Sequence, residues 1–243
     1  MAVHCDVRSD GHTLVASPIG RLQLTDVVPL RDSLLKCLAE QPEALLIDLA
    51  RLHVEQPLAL AVFTTTLRQA ARWPGTPVLL FGPPPRTRDL LISGAYQQLP
   101  LAADLASARA RLSDGRRVIP VIREDLLPAT GSTRHARDVV TDACLCWDLP
   151  DLVAPASLIV TELVANAIDH AHTMMALRVS LRTRYLSIAV RDGSTDPPVP
   201  EGSDQPDVAR GRGLLLVSSV ADHWGWLPSE GGKVVWAALR REP

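Results

Sequence analysis

The chemistry legible in this 243-residue sequence gathers in its second half, beginning with Gly211-Arg212-Gly213 directly before the apolar run LLLVSSVADHW. Glycines let a backbone approach an oxyanion, the unpaired N–H groups at a helix start point towards it, and Arg212 adds a positive charge, so a phosphate is the expected ligand. No Lys-Ser/Thr ending of a P-loop follows, and Leu216 stands at the third glycine position of a dinucleotide fingerprint, which disfavours both of those folds. Asp192 closes the apolar run LSIAVRD and is followed by Gly193 and Ser194. A carboxylate at a strand end can accept a hydrogen bond from the exocyclic amine of adenine, where guanine would present an acceptor; Asp-Gly is also an ordinary turn pair. On a helix over 151–171, Glu162, Asn166, Asp169 and His170 share one side, opposite Val160, Val164, Ala167, Ile168 and Ala171. That polar stripe reads either as a cleft wall or as a solvated helix face. Between Asp192 and the glycine pair, Ser194–Arg210 is polar, proline-rich and longer than most connections in a compact domain, which favours a lid.

Taken together, ELVANAIDHA (162–171), RDGS (191–194), GRGLLLV (211–217) and GGKVVW (231–236) resemble the successive nucleotide-site motifs of the GHKL ATPases, which include gyrase, heat-shock chaperone ATPases and histidine kinases. The fuller pattern GRGLLLVSSVADHWG followed by GGKVVW most resembles the anti-sigma-factor serine kinases, especially the actinobacterial type. The resemblance implies ATP and Mg2+ as cofactors, with Glu162 as the general base and Asn166 as a magnesium ligand through its carbonyl oxygen. It implies that Asp192 reads adenine and that Gly211, Arg212, Gly213 and Leu214 hold the phosphates, with Asp169, His170 and Ser194 also at the nucleotide. Ser194 stands where the family often has glycine. Lys233 remains open between a nucleotide contact and a charge at a hairpin end.

The elements that must position these residues follow from hydrophobic pattern. The first half alternates strand and helix: strands in 12–24, a helix after Asp26 with Leu30, Leu34, Leu35 and Leu38 at helical spacing, a buried strand over 44–49, a helix from Pro57, a second buried strand over 77–81, and helical segments over 90–112 broken at Pro100. This α/β half loosely resembles a STAS domain, the anti-sigma-factor-antagonist fold. In that family the turn after a strand such as LLIDLARL carries the phosphorylated serine; here Glu55-Gln56-Pro57-Leu58 stands there with no hydroxyl, so a conventional phosphoacceptor is not expected. Thr64, Thr65 and Thr66 lie further into the helix, in structural roles. The polar stretch 113–117 reads as a linker between a domain at 1–112 and a GHKL domain at 118–243, a two-layer α/β sandwich. The second half is expected to run as an apolar segment to Leu127, helices over 133–147 and 151–171, strands over 175–182 and 186–191, a helix from Leu214 to Trp224 and a last strand over 234–239.

Composition bounds the function. A net charge of −2 leaves no excess of cations for a nucleic-acid backbone. No leader pattern begins the chain and no run is expected to span a bilayer, which points to a cytoplasmic protein. Cys5, Cys37, Cys144 and Cys146 are expected as buried thiols rather than metal or redox ligands. The expected function is an ATP-dependent serine/threonine kinase acting on an anti-sigma-factor antagonist, with a sigma factor as a further partner and a homodimer left open. The alternative is a non-catalytic ATP-dependent module that sequesters a sigma factor or antagonist. A histidine autokinase is disfavoured, because His135 in GSTRHARDVV lacks the acidic neighbour and the proline of an acceptor helix.

Overall fold

A computed structural model describes residues 3–113, 119–198 and 213–241. The chain divides into two compact units, Met1–Arg117 and Val118–Pro243.

In the first unit, β1 (His4–Asp10) and β2 (Thr13–Leu22) form an antiparallel hairpin, and the sheet continues in parallel through β3 (Ala44–Asp48), β5 (Val78–Phe81) and β6 (Leu101–Ala102). A short strand β4 (Leu52–Val54) pairs with the far end of β2. Strands β3 and β5 are buried along their length because helices cover both faces, as a parallel sheet requires. Val15, Leu46, Leu79 and Phe81 face one way and pack with Ala108 of α4 (Leu105–Ser113). Helices α1 (Val27–Ala39) and α2 (Ala61–Arg72) pack on each other, burying Leu30, Leu34, Leu38, Val62 and Phe63. A shorter helix α3 spans Pro85–Ile92.

Local chemistry here differs from the sequence reading at one cap. Asp26 precedes α1, but its carboxylate accepts from the N–H groups of Gln23 and Val3 instead of from the first turn of the helix. Pro57 opens a 3-10 turn over Pro57–Leu60, where its missing N–H is not needed, and that turn leads into α2. Thr65 and Thr66 bond their hydroxyls back to Val62 O, which makes them structural helix residues.

The second unit is a five-stranded antiparallel sheet, ordered β10 (His223–Ser229), β11 (Gly232–Arg240), β9 (Tyr185–Asp192), β8 (Met175–Leu181), β7 (Val121–Leu126). Its helices are α5 (Thr130–Cys146), α6 (Val153–His170) and α7 (Gly213–Val220). Leu177, Val179, Ile188, Val190, Val235 and Ala237 alternate onto one sheet face and form a single core with Val140, Ile159, Leu163 and Val217 from the helices. This is the expected sheet-plus-helix layering.

Two expectations are corrected. The helix predicted over 214–224 ends at Val220, and His223–Ser229 is instead strand β10. Pairing with β11 makes this segment a strand, and Gly225 fits there directly opposite Trp236, where an added Cβ would lie 3.0 Å from the indole ring. Sequence reading also held that no segment could span a bilayer, yet Pro150–His170 is long and apolar enough by length and composition, with a mean hydropathy of 1.5. Its apolar residues Ala156, Ile159, Val160, Leu163, Val164 and Ala167 lie in the core of the second unit, which accounts for that hydropathy.

Candidate nucleotide-binding site

Helix α6 buries Val160, Val164 and Ala167, and this fixes the opposite stripe. Glu162 and Asn166 are half-buried at the margin of the core, whereas Asp169 and His170 at the helix end are exposed. Glu162 meets the start of α7. A Cβ built on Gly213 would lie 2.5 Å from Glu162 Oε2, so glycine at this position lets the carboxylate approach the helix backbone. The approach is electrostatically favoured, because the first N–H groups of a helix carry partial positive charge. Leu214 is buried in the core beneath this contact. Gly211 and Arg212, and the expected lid beyond Pro198, lie outside the described residues.

Asp192 ends β9 on the helix-facing side, alternating with the core residues Ile188 and Val190. It is 4% exposed, and its Oδ1 accepts two hydrogen bonds, from Ser194 N at 2.8 Å and from Lys233 Nζ at 3.0 Å. Lys233 is its direct cross-strand partner on β11 and is itself 3% exposed. For Lys233, left open between a nucleotide contact and a hairpin-end charge, the structure shows a charge withdrawn from solvent. It does follow the β10–β11 turn, but its ammonium is buried and also donates to Ser194 O at 3.3 Å. Ser194 thus contributes both its N–H and its carbonyl to one closed ring with Asp192 and Lys233.

The same turn is held from its other side. Helix α6 ends at His170, His172 adopts φ +54°, and the reversed chain brings Thr173 to the turn, where Thr173 Oγ1 accepts from Gly193 N at 2.8 Å. Arg191 adds a bond to Glu230 O at 2.9 Å in the β10–β11 turn. Gly232 permits the closest approach of that turn, since a Cβ there would fall 1.9 Å from Asp192 O. Sequence reasoning missed Thr173, included Gly232 only as part of the GGKVVW motif without a role, and left Lys233 open. The signal available was the β11 register, which sets Lys233 opposite Asp192 once the hairpin is recognised.

Asp192 and Gly193 border a cavity of about 350 Å3 shared with Asp125, Met174, Met175 and Glu230. Glu162 and Gly213 do not line that cavity; the structure brings Glu162 to Gly213, and Asp192 to Ser194 and Lys233, as two separate clusters. Among the described residues, Asp169 and His170 join neither. No three His, Cys, Asp or Glu side chains among the described residues converge as metal ligands. The cysteine expectation holds for Cys37 and Cys144, which are buried, but Cys146 is exposed and Cys5 intermediate. Cys144 and Cys146 point to different sides of α5, so only one of them can enter the core.

Residues 127–239 match the family model of the histidine kinase-like ATPase domain. No curated protein matches the chain. Among solved structures, an anti-sigma factor antagonist from Mycobacterium paratuberculosis is 21% identical, covering 46% of this chain and 96% of its own, with a TM-score of 0.41. A Moorella thermoacetica RsbS variant is 20% identical, covering 47% of this chain and 98% of its own, with a TM-score of 0.39. The unphosphorylated anti-sigma factor antagonist SpoIIAA is 13% identical, covering 46% of this chain and 100% of its own, with a TM-score of 0.37.

Proposed function

We propose that the protein is a cytoplasmic partner-switching regulator, a reading supported by the match of residues 127–239 to the histidine kinase-like ATPase domain. Its second unit binds Mg-ATP and phosphorylates a serine or threonine hydroxyl on a separate anti-sigma-factor antagonist. The observation that carries this reading is the contact of Glu162 with Gly213, which brings the acid of the polar helix stripe to the glycine-flanked start of α7. Phosphates at that start would meet free backbone N–H groups, with Gly211 and Arg212 completing the cradle.

Each residue then has a task its chemistry suits. Glu162 accepts the proton given up by the attacking hydroxyl, and Asp192 selects the base. Asn166 offers one amide oxygen to magnesium, which takes few protein ligands and keeps waters and phosphate oxygens, so no cluster of carboxylates is needed. Bound magnesium would offset the phosphate charge during transfer. The STAS-like unit serves as a docking or autoregulatory surface. Its turn presents Gln56 and Pro57, with no hydroxyl to phosphorylate, and Gln56 Oε1 accepts from Leu24 N at 2.7 Å.

The test is transfer of the γ-phosphate from labelled ATP to candidate antagonist proteins. Glu162→Ala is expected to retain ATP binding while transfer falls by about a hundredfold to ten-thousandfold, the usual contribution of a general base. Undiminished transfer would remove Glu162 from that role. Nucleotide-dependent capture of an antagonist or sigma factor without any transfer would favour the sequestering reading.

A further inference from the structure

The buried pair Asp192–Lys233 asks for an explanation that stability does not supply. Lys233 and Asp192 are directly opposed across β11 and β9, their side chains 4% and 1% exposed, with Nζ and Oδ1 3.0 Å apart. Taking two charges out of water is expensive, and apolar residues of similar volume commonly serve a fold as well or better. Their neighbours on the same sheet face, Val190 and Val235, show that this face accepts apolar side chains. A function that uses the charges is the more economical account of why they are here.

Counting donors and acceptors shows what the pair presents. An ammonium has three N–H donors. In Lys233 one goes to Asp192 Oδ1 and one to Ser194 O, which leaves a third. Asp192 Oδ1 is taken by Lys233 Nζ and Ser194 N, and neither bond falls on Oδ2. The ion pair therefore offers one acceptor, Oδ2, beside one donor, the third N–H of Lys233, and the ring through Ser194 holds both.

We propose that Lys233 is a specificity-determining residue of the nucleotide site, donating its third N–H to N1 of adenine while Asp192 Oδ2 accepts from the exocyclic amine. Adenine carries a donor at N6 next to an acceptor at N1, which complements this pair at both points. Guanine carries an acceptor at O6 next to a donor at N1, which opposes it at both. Rejection then has two sources, a carboxylate facing a carbonyl and an ammonium facing an N–H, and a buried site built for hydrogen bonds discriminates strongly when they are left unmade. This inference rests on the nucleotide-site reading given above and adds Lys233 to it.

The experiment is calorimetric titration of the full chain with Mg-ATP, Mg-GTP and Mg-1-deaza-ATP, in which N1 is replaced by C–H. For the wild type, 1-deaza-ATP is expected to bind about tenfold to a hundredfold more weakly than ATP, the effect of deleting one partner of a charged hydrogen bond. In Lys233→Met that ratio is expected to collapse to within about twofold, because the donor is gone. Should the single variant fail to fold, Asp192→Asn/Lys233→Met removes both charges together, and the same collapse is expected. Equal wild-type affinity for ATP and 1-deaza-ATP overturns the proposal, as does a ratio that persists unchanged in the variants. Absence of ATP binding by the wild type is a separate result, which overturns the nucleotide site itself and this proposal with it.

Discussion

Each unit holds a carboxylate against a cation beside a turn at the same distance, and the two pairs differ most sharply in their access to solvent. Glu55 Oε1 in the first unit accepts from Arg21 Nη1 at 3.0 Å, and Asp192 Oδ1 in the second accepts from Lys233 Nζ at 3.0 Å. The Arg21 side chain is 70% exposed, whereas that of Lys233 is 4% exposed. Water screens the first pair and competes for both of its partners, so the turn at Glu55 does not depend on it. The second pair is almost withdrawn from water, so each charge depends far more on the other. Distance alone therefore says little about what an ion pair does; burial decides whether it is ornament on a surface or a fixed instrument in a site.

The largest effect should come from breaking the buried pair on one side only. Lys233→Met is expected to destabilise the second unit by about 3–5 kcal/mol, because it strands a buried carboxylate, and Asp192→Asn/Lys233→Met should recover most of that loss. Urea unfolding of the three proteins measures this, and equal losses in the single and double variants would contradict it. Next in size, Gly232→Ala should cost about 3 kcal/mol in the same assay, since a Cβ there collides with the backbone of Asp192. An unchanged midpoint would mean that the β10–β11 turn does not hold the Asp192 loop closely.

A third measurement carries the contrast of burial to thiols on one helix. Burial pushes the Cys144 thiol up to about 11, while Cys146 two residues on is exposed. Iodoacetamide on the native chain at neutral pH should label Cys146 well before Cys144, because thiolate and access are both needed. Comparable rates would place Cys144 outside the core. The smallest effect belongs to the exposed pair. Hydrogen bonds from Gln23 and then Arg21 hold the Glu55 carboxyl below its ordinary range, so any stability it lends is present at neutral pH and fades as pH falls through that lowered value. With water screening it, Glu55→Gln should leave the midpoint of the first unit unchanged near neutrality, and a clear drop would show the turn to be more dependent on charge than its exposure suggests.

The legibility of this chain follows from the range over which each signal acts. Helices α1, α5 and α6 and strands β3, β5, β8 and β9 were visible because hydrophobic period is a local property. Strand β10 was not, because Ala221-Asp222-His223-Trp224 extends the preceding apolar helical run, and pairing with β11 makes it a strand. Glu162, Asp192 and Gly213 could be singled out by residue type and order. Thr173 could not, and the role of Gly232 within its motif could not, since each matters through a contact with a residue 20 or more positions away. Lys233 shows the limit most clearly: after a Gly-Gly turn a lysine reads as surface, and the register that buries it appears only in three dimensions.

The central claim is that a purine nucleotide binds the second unit between the Glu162–Gly213 contact and the Asp192 turn. Titrating the intact chain with Mg-ATP and Mg-GTP tests it most directly. Saturable binding of ATP with GTP weaker by at least about tenfold is the predicted result, each unmatched hydrogen bond being worth that factor or more. No heat of binding with ATP, or equal affinities for the two nucleotides, would contradict it.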